Sequence, residues 1–141
     1  MQVFVDASAY ISALNKNDSN YKKAIEISDR LFSQGAEFIT SNIVIYEVYT
    51  ILAAKVDKLL AIKFKSKIDL EGVPVIYVDG QIDSEAWKIF EKERSKNVGF
   101  FDCTSFAIMK LYEISAVFSF DSDYHKFCKK EGFAFNTILL G

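Results

Sequence analysis

Apolar residues along the chain follow two alternating rhythms. Val3-Phe4-Val5 is a short apolar run closed by Asp6, and 7–14 then takes on helical spacing, so a strand followed by a helix opens the pattern. A second helix is predicted over 19–34, with Asp18 or Ser19 as N-cap and Gly35 where a left-handed residue ends a helix. Phe38-Ile39-Thr40 is the next strand. Ser41 and Asn42 can cap the helix after it, whose apolar stripe is Val44, Val48, Ile51 and Leu52. Another helix over 58–70 stops before Gly72, and 73–78 reads as a strand with the chain's one proline near its start, where a missing N–H is tolerated. A helix over 82–95 turns Ala86, Ile89 and Phe90 inward. After Gly99 come a helix over 102–112, a strand over 116–120, a last helix near 123–131 and a last strand over 133–139. Short apolar strands alternating with helices indicate an α/β fold of three layers, α/β/α, with a central parallel sheet covered on both faces. Nothing repeats and no Pro/Gly/Ser-rich linker intervenes, so 1–141 is read as one domain.

Composition narrows the function without choosing it. With 141 residues, 50% of them hydrophobic and 15% aromatic, the chain can bury a core without disulfide or zinc staples. Its 17 basic and 19 acidic residues leave a net charge of -2, which excludes nucleic-acid affinity driven by bulk positive charge but not a local basic groove. Cys103, Cys128 and the lone His125 cannot complete a usual four-ligand zinc site. No basic signal-peptide start and no run of membrane-span length is present, so a cytoplasmic protein with no membrane partner is expected.

Chemistry is sought where open parallel sheets bind ligands, beyond the carboxyl ends of strands at a reversal of strand order. Asp6 ends the first strand; Asp121 and Asp123 follow the strand over 116–120 and converge on Asp6 if the two strands are neighbours. Singly, each has a bland explanation as a helix cap or turn residue. Glu47 is harder to explain that way, because Ile43 lies one turn before it and Ile51 one turn after, a setting that desolvates a carboxylate. Asp102 opens a helix, where Asp is a common cap, and adds a fourth acid able to face the same crevice. Two such charges ~5 Å apart repel by about 3 kcal/mol at an effective dielectric near 20. No Arg lies in these segments, and Lys110 and Lys126 stand well along their helices. An all-oxygen acidic set suits Mg²⁺, with Mn²⁺ as substitute, and hence phosphate-ester chemistry.

Four segments then carry a resemblance. Val3-Phe4-Val5-Asp6-Ala7-Ser8, Thr40-Ser41-Asn42-Ile43-Val44-Ile45-Tyr46-Glu47-Val48, Phe101-Asp102-Cys103-Thr104-Ser105-Phe106-Ala107 and Ser119-Phe120-Asp121-Ser122-Asp123-Tyr124 stand in the order and spacing of the PIN domain family, and the chain resembles its VapC-like toxin ribonucleases. The resemblance spans essentially the whole chain. It implies a Mg²⁺- or Mn²⁺-dependent endoribonuclease acting on RNA, a homodimer, and an antitoxin partner that holds it inactive. By position, Asp6, Glu47, Asp102 and Asp121 are the implied catalytic and metal-holding acids, Asp123 an outer acid, and Ser8 and Ser119 the hydroxyls that help place water or phosphate. Ser119 stands where Thr is common, Tyr124 where Phe is common, and Phe101 where many relatives carry Thr or Ser.

Other residues read more plainly. His125 is a surface residue rather than a general base, Cys103 a buried thiol, and Lys55, Lys58, Lys63, Lys65 and Lys67 a solvated face, with RNA-backbone binding as its alternative reading. Tyr46, Tyr49 and Tyr124 are the aromatics placed to stack on unpaired bases. An aspartyl-phosphate phosphatase would need a second Asp where Ser8 stands, a receiver domain an acidic pair at the first strand, and a nucleotide-binding fold a Gly-rich loop. The alternative from another class is a catalytically silent PIN-like dimeric scaffold or RNA-associated interaction module.

Overall fold

Alternation along a strand sends successive side chains to opposite faces, and the first strand here is buried on both. Val3 and Val5 pack with Ala24, Ile27 and Leu31 in one cluster, while Phe4 packs with Val44, Val48, Phe64, Ile82 and Phe106 in a larger one. The computed structural model describes residues 1–130 and 136–139, with the backbone alone at 125, 128–130 and 136–139. Its elements run β1 (Gln2–Val5), α1 (Ala7–Leu14), α2 (Tyr21–Ser33), β2 (Glu37–Ser41), α3 (Asn42–Lys55), α4 (Lys58–Glu71), β3 (Val75–Ile76), α5 (Gly80–Lys92), α6 (Phe100–Leu111), β4 (Ala116–Ser119), α7 (Ser122–Lys130) and β5 (Asn136–Leu139). The strands form one parallel sheet in the order β3-β2-β1-β4-β5. Helix α2 covers one face and α3 to α6 the other, the expected three-layer α/β/α arrangement.

Strand order reverses between β1 and β4. From β1 the chain moves outward through β2 to β3, then returns to lay β4 on the free side of β1, with Phe4 opposite Val117 and Val5 opposite Phe118. The two segments that end in Asp6 and lead into Asp121 are therefore neighbours, and the Asp6 N–H donates to the Phe118 carbonyl at 3.0 Å.

Several boundaries differ from expectation. Helix α2 begins after Asn20, because the Asp18 carboxylate instead accepts the Asn20 N–H at 2.8 Å and the Ser12 hydroxyl at 3.2 Å in the preceding turn. Its other end is as expected, with Gly35 at φ 75°. Strand β3 keeps only Val75 and Ile76 of the expected run: Pro74 has no N–H to give, and the Val78 N–H is drawn to the Asn42 side chain at 2.9 Å. Helix α5 starts two residues early behind its Asp79 cap and ends at Lys92. Strand β4 stops at Ser119, one residue short. For the last expected helix and strand, 131 and 133–135 lie outside the described residues.

Candidate active site

Asp6 sits at the end of β1 in the N-cap position of α1, yet its side chain makes no capping hydrogen bond. The carboxylate is 5% exposed and its oxygens go elsewhere. Oδ2 accepts the Ser119 hydroxyl at 2.8 Å and the Ser8 hydroxyl at 2.9 Å, and Oδ1 accepts the Tyr124 hydroxyl at 2.9 Å. The serines also brace the loop after β4, Ser8 accepting the Phe120 N–H at 3.0 Å and Ser119 the Asp121 N–H at 3.0 Å. Thr40, buried on β2, ties the same edge by donating to the Val5 carbonyl at 3.0 Å.

The other acids come from three further elements. Glu47 is half-buried on α3, whose first turn is set by Ser41: this residue is the N-cap, accepting the Val44 N–H at 3.1 Å, while Asn42 is spent on Val78. Burial, then the negative charges of Asp6 and Asp121, push the Glu47 carboxyl above its ordinary value. Asp102 is not the cap of its helix. Helix α6 starts two residues earlier behind Gly99, and Asp102, in its first turn, accepts the Gly99 N–H at 3.3 Å. Burial and then Asp6, with smaller contributions from Asp121 and Glu47, push its carboxyl up to about 7 against the lowering effect of that hydrogen bond. Asp121 does what its bland reading asks, accepting the Asp123 N–H at 2.9 Å ahead of α7, and still faces Glu47 and Asp102. Asp123 stands at the rim, raised by burial and by Asp121 and opposed by Lys126.

The crevice is thus an acidic field, opposed at its rim by Lys126 beside Asp123. Among the described residues the ion pairs join Lys65 to Asp69, Lys67 to Glu71 and Lys110 to Glu85, and none reaches Asp6, Glu47, Asp102 or Asp121. Also among the described residues, no three His, Cys, Asp or Glu side chains are gathered closely enough to hold a metal ion as they stand. The acids share a field rather than a coordination sphere, as like charges do in a medium that screens them poorly. An all-oxygen donor set with unbalanced negative charge fits a hard divalent cation. A groove of about 730 Å³ between α1, α2 and α4, lined by Leu14, Phe32, Phe38, Phe64 and Ile68, lies apart and includes none of the four acids.

Tyr124 is where sequence reasoning misplaced a residue. Placed as a stacking surface, it is 0% exposed, packed edge-on against Phe106 at 4.8 Å, and donates to Asp6. Burial, with Asp6 and Asp102 nearby, holds its phenol well above the ordinary range, so it keeps the proton it donates. Tyr46 is exposed, with Tyr49 half-buried 6.4 Å from it. Cys103 is a buried free thiol, pushed up to about 11 by burial. Lys55, Lys58, Lys63, Lys65 and Lys67 are solvated as expected, and the side chains of His125 and Cys128 lie outside the described residues. No helix among the described residues is long and apolar enough to cross a membrane.

Comparison with known proteins adds an independent line. The family profile described as "PIN domain" matches residues 3–130. The curated protein "23S rRNA-specific endonuclease VapC20" of Mycobacterium tuberculosis, in two strains, is 28% identical over 123 residues, covering 86% of this chain and 91% of its own length. The crystal structure of Mycobacterium tuberculosis VapC20, named a sarcin-ricin loop cleaving toxin, superposes with a TM-score of 0.77 at 27% identity, over 94% of this chain and 96% of that one. VapBC2 from Rickettsia felis, bound to a DNA fragment from its promoter, aligns with TM-score 0.67 at 14% identity over 100% of both chains, a likeness of fold.

Proposed function

This chain belongs to the PIN domain family, and on that premise we propose that it is a metal-dependent endoribonuclease that hydrolyses RNA phosphodiester bonds. The observation that carries the reading is the convergence of Asp6, Glu47, Asp102 and Asp121 from separate elements at the carboxyl ends of the neighbouring strands β1 and β4, where none of the ion pairs among the described residues reaches them. Asp6, Glu47, Asp102 and Asp121 would hold Mg²⁺ or Mn²⁺, with Asp123 as an outer acid. When bound, such a cation activates a water and offsets charge developing on the phosphoryl oxygens. The chain's own residues do the placing: Ser8 and Ser119 hold Asp6 and, through the backbone of 120 and 121, fix the loop that carries Asp121.

VapC20, a ribosomal RNA endonuclease and toxin by name, supports RNA as the substrate and a toxin role for this chain. A homodimer, an antitoxin partner and a cytoplasmic setting complete the proposal, and 1–141 is taken as one nuclease domain. The test is cleavage of a panel that includes a ribosomal stem-loop and an unstructured RNA, by the parent and by Asp6→Asn, each with Mn²⁺ and with EDTA. Cleavage by the parent alone, and only with metal, is expected. No cleavage by folded, antitoxin-free protein in any condition would favour the silent scaffold.

A further inference from the structure

A carboxylate offers about four acceptor sites, two on each oxygen. In Asp6 the Ser8 and Ser119 hydroxyls take both sites on Oδ2, and the Tyr124 hydroxyl takes one on Oδ1. One site remains, and it lies on Oδ1. Each donor comes from a different element: Ser8 from α1, Ser119 from β4 and Tyr124 from α7. Rotation of the carboxylate would break three hydrogen bonds at once, in a place where 5% exposure leaves little water to replace them.

We propose that the Tyr124 hydroxyl is the positioning residue of the acidic centre: it fixes the Asp6 carboxylate so that a divalent cation is met by a single oxygen, Oδ1, at its one open acceptor site. The inference rests on the metal reading above and deepens it. The phenol suits the task because it is rigid. Its ring is wholly buried and held edge-on by Phe106, which is itself stacked on Phe127 at 4.1 Å, so the hydroxyl has little freedom to follow a moving carboxylate. A ring without the hydroxyl would fill the same space and leave Oδ1 with two open sites, and Asp6 would then be steered from the Oδ2 side alone. Outer-shell donors of this kind are typically worth 10–100-fold in metal affinity or activity.

The test is calorimetric titration of Mn²⁺ into the parent, Tyr124→Phe and Phe106→Leu, each first shown to be folded by circular dichroism. Phe106→Leu loosens the packing around the ring and keeps the hydroxyl, whereas Tyr124→Phe keeps the ring and removes the hydroxyl. Mn²⁺ binding at least tenfold weaker in Tyr124→Phe, with a clearly smaller loss in Phe106→Leu, which loosens the ring but keeps the hydroxyl, is the expected result. Equal Mn²⁺ affinity in the parent and Tyr124→Phe would overturn the inference and leave the metal reading standing. An equal loss in both variants, or a Tyr124→Phe chain that does not fold, would overturn it in favour of a purely structural phenol. A parent that binds no Mn²⁺ would overturn the metal reading itself, and the inference with it.

Discussion

Glu47 and Asp6 are both desolvated acids, but only Asp6 is compensated by donors. Three hydroxyls satisfy Asp6, whereas the half-buried Glu47 meets the charges of Asp6 and Asp121 and joins none of the ion pairs among the described residues. On the proposed metal reading, such an arrangement would cost stability in the absence of a cation and gain function in its presence. Glu47→Gln keeps the shape and removes the charge. Its turnover should fall by more than the roughly 10–100-fold that loss of an outer-shell partner costs, while the metal-free protein melts at the same temperature or higher. A fluorogenic RNA and scanning calorimetry check both halves, and full turnover would remove Glu47 from the site. Isoleucines one turn either side of Glu47 made its desolvation legible in the sequence. The Tyr124 bond to Asp6 was not, because 118 residues separate the partners and an aromatic on an amphipathic helix signals only burial.

Helix starts decide where the acids point, and these were read unevenly. Ser41 was foreseen as a cap, and it fixes the first turn of α3, the helix that carries Glu47. Ser41→Ala leaves the buried Val44 N–H without its acceptor, so stability should drop by about 1–2 kcal/mol. The urea midpoint should fall accordingly, with a smaller loss of cleavage rate; an unchanged midpoint would mean that the hydroxyl is not the cap. Asp102 was expected to open its helix, but Phe100 and Phe101 extend α6 toward the amino end and place it in the first turn, still where a carboxylate is favoured by the helix dipole. Local patterning fails there for a plain reason: Gly99 can begin a helix as well as end an element, and the choice is made by the packing of α5 against α6, in which Phe90 meets Phe100 at 5.7 Å.

Across the whole molecule, the acidic field links stability to pH in an unusual direction. The folded Asp102 carboxyl is held at about 7, above the roughly 3.9 of an unfolded Asp, so the folded state binds the proton more tightly. Its contribution to stability is present below the unfolded value and is lost as pH rises through about 7. Glu47 shifts in the same direction. Metal-free protein should therefore melt higher at pH 6 than at pH 8. Solvent screening at this partly open site reduces the gain to roughly 1 kcal/mol, or about 4 °C for a chain of this size. Saturating Mn²⁺ should reverse the trend, because its ligands must shed their protons to bind it; melting curves at both pH values, with and without metal, would show the crossing, and parallel curves would refute it. The sequence by itself determined the alternation of strands and helices, the parallel three-layer class, the Ser41 cap and which acids are candidates, because those follow from local periodicity and side-chain chemistry. The tertiary structure alone decided that β4 returns beside β1, that Ser8, Ser119 and Tyr124 converge on Asp6, and that four acids separated along the chain share one field. The reason is physical: hydrogen-bond direction and charge proximity depend on distance through space, and only the closed sheet brings those distances within reach.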